Sequence, residues 1–196
     1  FELNYEHWFN LVSKIKVAPF YNIIDDVIIV SGDEVAKQAI TGAHLMNTNS
    51  FKNTGKSTTY GIDISSNHNV KYDNFNIEYW LVLSYIDGEL TENGIDTDLP
   101  LVAHYKIKSG LTYNYRNKYT LSPTIRWISN TNGNNFVFGS QSERTEIDSY
   151  LVIDLHAEAK ITEQLTVKIQ INNLLDEKYF NAPFANNFFA FDKAPQ

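Results

Sequence analysis

The chain has 196 residues and a formal net charge of −7 at pH 7, from 16 Lys and Arg against 23 Asp and Glu. That acidic balance weighs against nucleic acid as a main partner, and the lack of cysteine removes disulfides and thiolate metal sites. Hydrophobic residues make up 43% of the sequence, yet no apolar run approaches the roughly twenty residues of a membrane-crossing helix.

Apolar and polar residues alternate with period two along much of the chain, the pattern of a strand with one apolar face. Glu2 to Trp8 reads as a first strand, turning near Asn10. Ser13 to Val30 follows, with Ile15, Val17, Pro19, Tyr21 and Ile23 on one face. Pro19 is awkward in a central strand and predicts a bulge. Ser31 to Ser57 reads as a long loop. Within it, His44 and Met46 are a candidate pair for copper or haem iron, which accept such ligands; an ordinary loop is the plainer reading.

Thr58 to Asn67 is the next strand, with Tyr60, Ile62 and Ile64 outward, and a turn at Tyr72-Asp73-Asn74 leads into Phe75 to Ile86. Phe75, Ile77, Tyr79, Leu81, Leu83 and Tyr85 form an apolar stripe there. The loop from Asp87 to Ala103 carries Asp87, Glu89, Glu92, Asp96 and Asp98. Calcium favours several oxygen ligands, but the Gly and closing Glu of an EF-hand are missing, and a solvated loop is plainer. His68 and His104 stand alone in the sequence.

Tyr105 to Tyr115 sets Lys106, Lys108, Thr112 and Asn114 against Ile107, Leu111 and Tyr113. After Arg116-Asn117-Lys118, Tyr119 to Ile128 returns with Leu121, Pro123, Ile125 and Trp127 against Thr120, Thr124 and Arg126. A loop rich in Asn, Gly and Ser covers Ser129 to Glu146. Tyr150 to Phe180 then holds two alternating strands joined at Thr162-Glu163-Gln164. In the first, Leu151, Ile153, Leu155, Ala157 and Ala159 oppose Asp154, His156, Glu158 and Lys160; in the second, Leu165, Val167, Ile169 and Ile171 oppose Thr166, Lys168 and Gln170. His156 between carboxylates has the make-up of a proton or metal relay. A wall of charges that pair with neighbouring strands is the plainer reading.

No enzyme chemistry and no cofactor is predicted. Ser149 and His156 fall on opposite faces of one strand and cannot meet as nucleophile and base, and glycine-rich phosphate loops are absent.

The strands reach the nine to eleven residues, about, of a tilted membrane-spanning strand. Short connections near Asn10, Asp73, Asn117 and Glu163 alternate with long ones, as in outer-membrane barrels. Twelve Tyr, twelve Phe and three Trp suit aromatic girdles at two membrane interfaces. The fold class expected is all-β: an antiparallel transmembrane β-barrel with about eight strands in this chain. A self-contained eight-stranded barrel with a structural or adhesive role, and a soluble β-sandwich, are the rival readings.

The run Asn173-Leu174-Leu175-Asp176-Glu177-Lys178-Tyr179 resembles the signature that closes the penultimate strand of TonB-dependent outer-membrane receptors, with Asn173, Leu174, Asp176 and Tyr179 as its fixed positions. Tyr150, Asp154 and Leu155 resemble the preceding strand of that family. Gly55 with Tyr60-Gly61-Ile62-Asp63, and Leu99 to Lys106, are looser echoes; in the second, Ala103 stands near the place of an expected Pro.

The resemblance implies that residues 1–196 are the C-terminal portion of a plugged barrel of about twenty-two strands. The chain shows no signal peptide, and the plug domain, coupling box and closing strand are expected outside it. Asp154, His156, Glu158, Lys160 and Lys168 would then face the lumen. The whole protein would reside in the bacterial outer membrane, in contact with lipid. It would bind a small-molecule or metal-chelate ligand, most commonly an iron-siderophore complex, with haem, cobalamin, copper or another metal, or a glycan as other family cargoes. Uptake would draw on TonB and its inner-membrane complex.

Overall fold

The computed structural model describes residues 1–31, 50–92, 94–99, 102–133, 136–137, 140–141 and 145–179. These form strands and turns: β1 (Tyr5–Asn10), β2 (Ser13–Ser31), β3 (Ser50–Lys71), β4 (Phe75–Glu92), β5 (Ile95–Asp98), β6 (Tyr105–Tyr115), β7 (Tyr119–Ile128), β8 (Thr131–Gly133), β9 (Phe136–Val137), β10 (Ser140–Gln141), β11 (Thr145–Ile147), β12 (Tyr150–Lys160) and β13 (Thr166–Ile171). The main sheet is an antiparallel meander, β1-β2-β3-β4-β6-β7-β12-β13, with β5 folded back onto β4. Two small ladders, β8 with β11 and β9 with β10, stand off it.

Register carries the alternation across the whole sheet. Tyr5, Val17, Ile64, Leu83, Ile107, Trp127 and Leu151 are successive partners on adjacent strands and make one apolar row. One residue away, Glu6, Lys16, Ser65, Val82, Lys108, Arg126 and Val152 make the corresponding row on the other face. A slip of one residue at any hairpin would swap the faces, so the register is strongly specified. No large side chain is fully buried among the described residues, and Ile125 and Ile169 on the apolar face stay 41% and 55% exposed. No second layer of the described residues covers that face, unlike a soluble sandwich, which packs two inner faces into a core.

The tight turns that join β1 to β2, β3 to β4, β6 to β7 and β12 to β13 lie at one end of the sheet. Asn10 accepts the Val12 N–H at 2.9 Å on its side chain, and the Thr162 hydroxyl oxygen accepts the N–H groups of Gln164 and Leu165 at 3.2 and 3.0 Å. These are side-chain mimics of a backbone turn. Arg116 and Asn117 both take positive φ, 51° each, and the Lys118 N–H closes onto the Tyr115 carbonyl at 2.9 Å. Positive φ at both central positions is what a type I′ hairpin turn needs.

Pro19 and Pro123 sit where a ladder is interrupted, not where it bulges. Pro19 keeps its register with Ile62 on β3, while on its other side only Glu2 with Phe20 forms an isolated bridge beyond β1. The bulges of β2 fall instead around Val27, next to Asp26 at φ 60°. The β6–β7 ladder skips from Gly110↔Thr124 to Tyr113↔Leu121, around Pro123, and the Ser122 and Thr112 hydroxyls hydrogen-bond at 3.1 Å across the gap.

The expected loops are partly strand. β2 and β3 stay paired out to Ser31↔Ser50, and β4 runs on to Glu92 before β5 returns. Apolar alternation lapses in the β3 and β4 arms, which pair through backbone hydrogen bonds and polar side chains such as Thr91 with Asp96, and sequence periodicity does not report such pairing.

Candidate functional site

On the polar face of β12 and β13, Asp154, His156, Glu158 and Lys160 share one side with Lys168 across the hairpin, as register partners His156↔Gln170 and Glu158↔Lys168. Lys168 Nζ lies 3.0 Å from Glu158, and Asp154 accepts the backbone N–H of Asn173 at 2.7 Å. The carboxylates flanking His156 are therefore engaged elsewhere, and no cluster of three or more metal-ligating side chains occurs among the described residues. His44 and Met46 lie outside the described residues. In the acidic segment, Asp96 accepts the Thr91 hydroxyl at 2.7 Å, across the β4–β5 hairpin.

The chain after β13 folds back over this face. Asn173 takes φ 53°, and its side-chain amide donates to the Glu177 carbonyl at 3.0 Å while its oxygen accepts the Glu177 N–H at 2.9 Å. Asp176 is also left-handed, at φ 51°, with its N–H on the Asn173 carbonyl. Asn and Asp tolerate that conformation better than other side chains. The resulting hook is pinned from below by the Leu174 N–H on the Ile153 carbonyl at 2.7 Å. It delivers Tyr179 onto Tyr150, with ring centroids 4.3 Å apart, and the Tyr179 oxygen accepts from Arg126 Nη2 at 3.0 Å.

The sequence profile described as TonB dependent receptor-like, beta-barrel, matches residues 1–174. The chain belongs to the TonB-dependent receptor family. No curated protein sequence matches it. Among solved structures, it is similar to the siderophore receptor PiuA from Acinetobacter baumannii at 19% identity and TM-score 0.64, covering 92% of this chain and 24% of that one. The ferric-catecholate import receptor Fiu from E. coli K12 gives 15%, TM-score 0.68, and coverage of 98% and 25%. The copper transporter OprC gives 13%, TM-score 0.64, and coverage of 97% and 28%. At such identities the likeness concerns the fold. The chain spans about a quarter of the length of these structures.

In this TonB-dependent receptor segment, the signature is thus a folding device: Asn173 and Asp176 make the reversal, and Tyr179 is what the reversal positions. Its partner Tyr150 belongs to the Tyr150-Asp154-Leu155 resemblance, whereas Arg126 is singled out by no local motif; the one available signal is a lone Arg on a strand face that otherwise carries Thr120, Ser122, Thr124 and Ile128.

A second cluster links residues that look isolated in sequence. Asp87 accepts hydrogen bonds from Tyr85 at 3.0 Å and Tyr60 at 3.3 Å, and His104 Nδ1 lies 3.5 Å away. Asp87 lies past the Tyr85–Tyr105 ring pair, centroids 5.0 Å apart, towards the long-loop end. The Gly88 N–H, then the Tyr85 hydroxyl, hold its carboxyl below the ordinary range, with His104 and Tyr60 adding to them against a small burial penalty. His68 also has company, stacking on Tyr79 at 4.7 Å beside Phe9.

Proposed function

We propose that residues 1–196 form the C-terminal portion of the barrel of a larger TonB-dependent receptor in the bacterial outer membrane, with the apolar face against lipid and the polar face lining the lumen. The continuous apolar row from Tyr5 to Leu151, left open by the protein itself, carries the reading. Its height supports it as well. Phe75, within a ring cluster with Tyr72 and Tyr113, and Tyr85, against Tyr105, mark two aromatic levels on β4. Ten residues at about 3.4 Å each, tilted by about 40°, separate these levels by about 26 Å, against an apolar band of about 25 Å in such barrels. Ser109, on the apolar face, donates its hydroxyl to the Trp80 carbonyl at 3.1 Å, so it brings no unsatisfied donor to lipid.

The whole receptor, on this reading, imports a scarce nutrient with energy passed through TonB, and a ferric siderophore is the cargo favoured. PiuA and Fiu, a siderophore receptor and a ferric-catecholate import receptor, support that choice; OprC, a copper transporter, supports copper as the second cargo. The long-loop end then faces the medium and the tight turns face the periplasm.

The test is uptake by cells carrying the full receptor. Iron-siderophore accumulation should fall when either the receptor or TonB is deleted. Accumulation of ferric siderophores and copper that is indifferent to both deletions would sink the transport reading. A source polypeptide of 22.5 kDa in the outer-membrane fraction, rather than one several-fold larger, would sink the larger barrel.

A further inference from the structure

The β6–β7 hairpin carries two cations laid on aromatic rings. Arg116 Cζ stands 5.2 Å from the ring centroid of Tyr115, and Lys118 Nζ stands 5.5 Å from that of Tyr119. Both lie within the roughly 6 Å over which a ring face attracts a cation. Tyr115 and Tyr119 are direct register partners, and Tyr115 also pairs with Phe75 on β4, so both rings belong to the apolar face. Phe75, with Tyr72 and Tyr113, marks the aromatic level at the tight-turn end of that face. The two cations are thus held on the lipid side of the sheet, where hydrocarbon gives way to headgroups, and not over the lumen.

Backbone bonds fix the turn that presents them. The Arg116 N–H donates to the Asn74 carbonyl at 2.7 Å, and the Lys160 N–H donates to the Lys118 carbonyl at 2.9 Å, so the hairpin is tied to the strands on both sides. The acids on the two flanking turns, Asp73 and Glu163, make no ion pair with either cation among the described residues. Arg116 and Lys118 are both exposed. A ring takes the face of a cation and leaves N–H donors free for an oxygen anion. The guanidinium offers a planar fork that matches phosphate, and the ammonium adds a point charge that needs no fixed geometry. Basic side chains beside interfacial aromatics are placed to meet headgroups, with their stems along apolar surface and their charges in the polar layer.

We propose that Arg116 and Lys118, seated on Tyr115 and Tyr119, form a docking site for the phosphate of an anionic phospholipid headgroup in the leaflet at the tight-turn end. The proposal rests on the reading of the apolar face as lipid-facing. It adds one lipid class and one place on the wall where that lipid is held.

The experiment is native mass spectrometry of the purified full receptor, equilibrated at low salt with an equal mixture of phosphatidylglycerol and phosphatidylcholine. The receptor should retain phosphatidylglycerol in preference. Lys118→Gln should reduce that preference about fivefold and Arg116→Gln/Lys118→Gln about tenfold or more, the scale of basic residues at an anionic lipid surface. The charge-keeping pair Arg116→Lys/Lys118→Arg should retain it, and Lys106→Gln/Lys108→Gln, on the opposite face of β6, should leave it unchanged. No preference overturns the site, as does a preference that survives the double Gln substitution or falls equally with Lys106→Gln/Lys108→Gln. Displacement of the lipid by inorganic phosphate would make it a free-anion site, and stronger retention of lipopolysaccharide would put the hairpin in the opposite leaflet; either result overturns the proposal. Uptake is scored separately: TonB-dependent uptake without a lipid preference removes this site and leaves the transport reading. A preference lost in the double Gln variant, in a receptor whose uptake ignores TonB, does the reverse.

Discussion

The indole of Trp80 lies across Gly110, its register partner on β6, so closely that a Cβ on Gly110 would stand 2.5 Å from Nε1 and 2.6 Å from Cε2. Phe20 covers Gly61 on β3 in the same way, its Cζ 2.6 Å from where a Cβ would be. An aromatic ring laid over a bare strand position restores the packing that glycine forfeits and pins the register. Gly110→Val should therefore cost about 1–3 kcal/mol, the range for overpacking, in urea unfolding of the detergent-solubilised receptor. Trp80→Ala in the same chain should recover part of that loss, because the two positions share one space. Strictly additive losses would mean that the ring does not hold the glycine.

The alternation of Leu121, Pro123, Ile125 and Trp127 with Thr120, Thr124 and Arg126 identified both a strand and its faces, and short polar segments such as Arg116-Asn117-Lys118 marked the hairpins. Alternation reports a face, however, and not a neighbour. Tyr179 reaches Arg126 across 53 residues of sequence, and Asp87 reaches Tyr60 across 27; no local pattern encodes either contact. The outer arms of β3 and β4 lack an apolar side, so their pairing leaves no periodic trace. The signature was legible as a family mark, but its purpose required the left-handed angles at Asn173 and Asp176.

Asn173 closes the hook twice, with its side chain on both the N–H and the carbonyl of Glu177. Asn173→Gly keeps the left-handed angle open and removes both bonds, at about 1 kcal/mol each. Asn173→Ala adds a further penalty for a Cβ in the left-handed region, roughly 1 kcal/mol. The expected order of stability in denaturant titration is wild type, then Gly, then Ala. A Gly variant as stable as wild type would show that the side-chain bridge does not hold the hook.

Asp87 has a lowered carboxyl pKa in the fold, so it binds protons less readily there than in the unfolded chain. Such a group adds stability above its unfolded pKa, about 3.9 for aspartate, and loses that contribution as pH falls through the lower folded value. Asp87→Asn should therefore lower the thermal midpoint at pH 7. The gap to wild type should shrink as the pH drops below about 4. A gap that stays constant from neutral to strongly acidic solution would assign the loss to packing of Tyr60 and Tyr85, not to the carboxylate.

Facing is the assignment on which the lumen and the girdles both depend, and the β12–β13 hairpin tests it directly. Ile153 pairs with Ile125, and Ile169 pairs with Ala157, on the apolar side, whereas Lys168 pairs with Glu158 on the other. Ile153→Lys or Ile169→Lys puts an ammonium into hydrocarbon, at a cost of about 2–4 kcal/mol near the bilayer midplane. Lys168→Ile removes a solvent-exposed ion pair worth up to about 1 kcal/mol and adds no buried charge. Folding measured in phospholipid bilayers should separate the first two variants from the third by that margin. Comparable losses for all three, or the largest loss for Lys168→Ile, would invert the faces and remove the basis for a lumen wall on this side of the sheet.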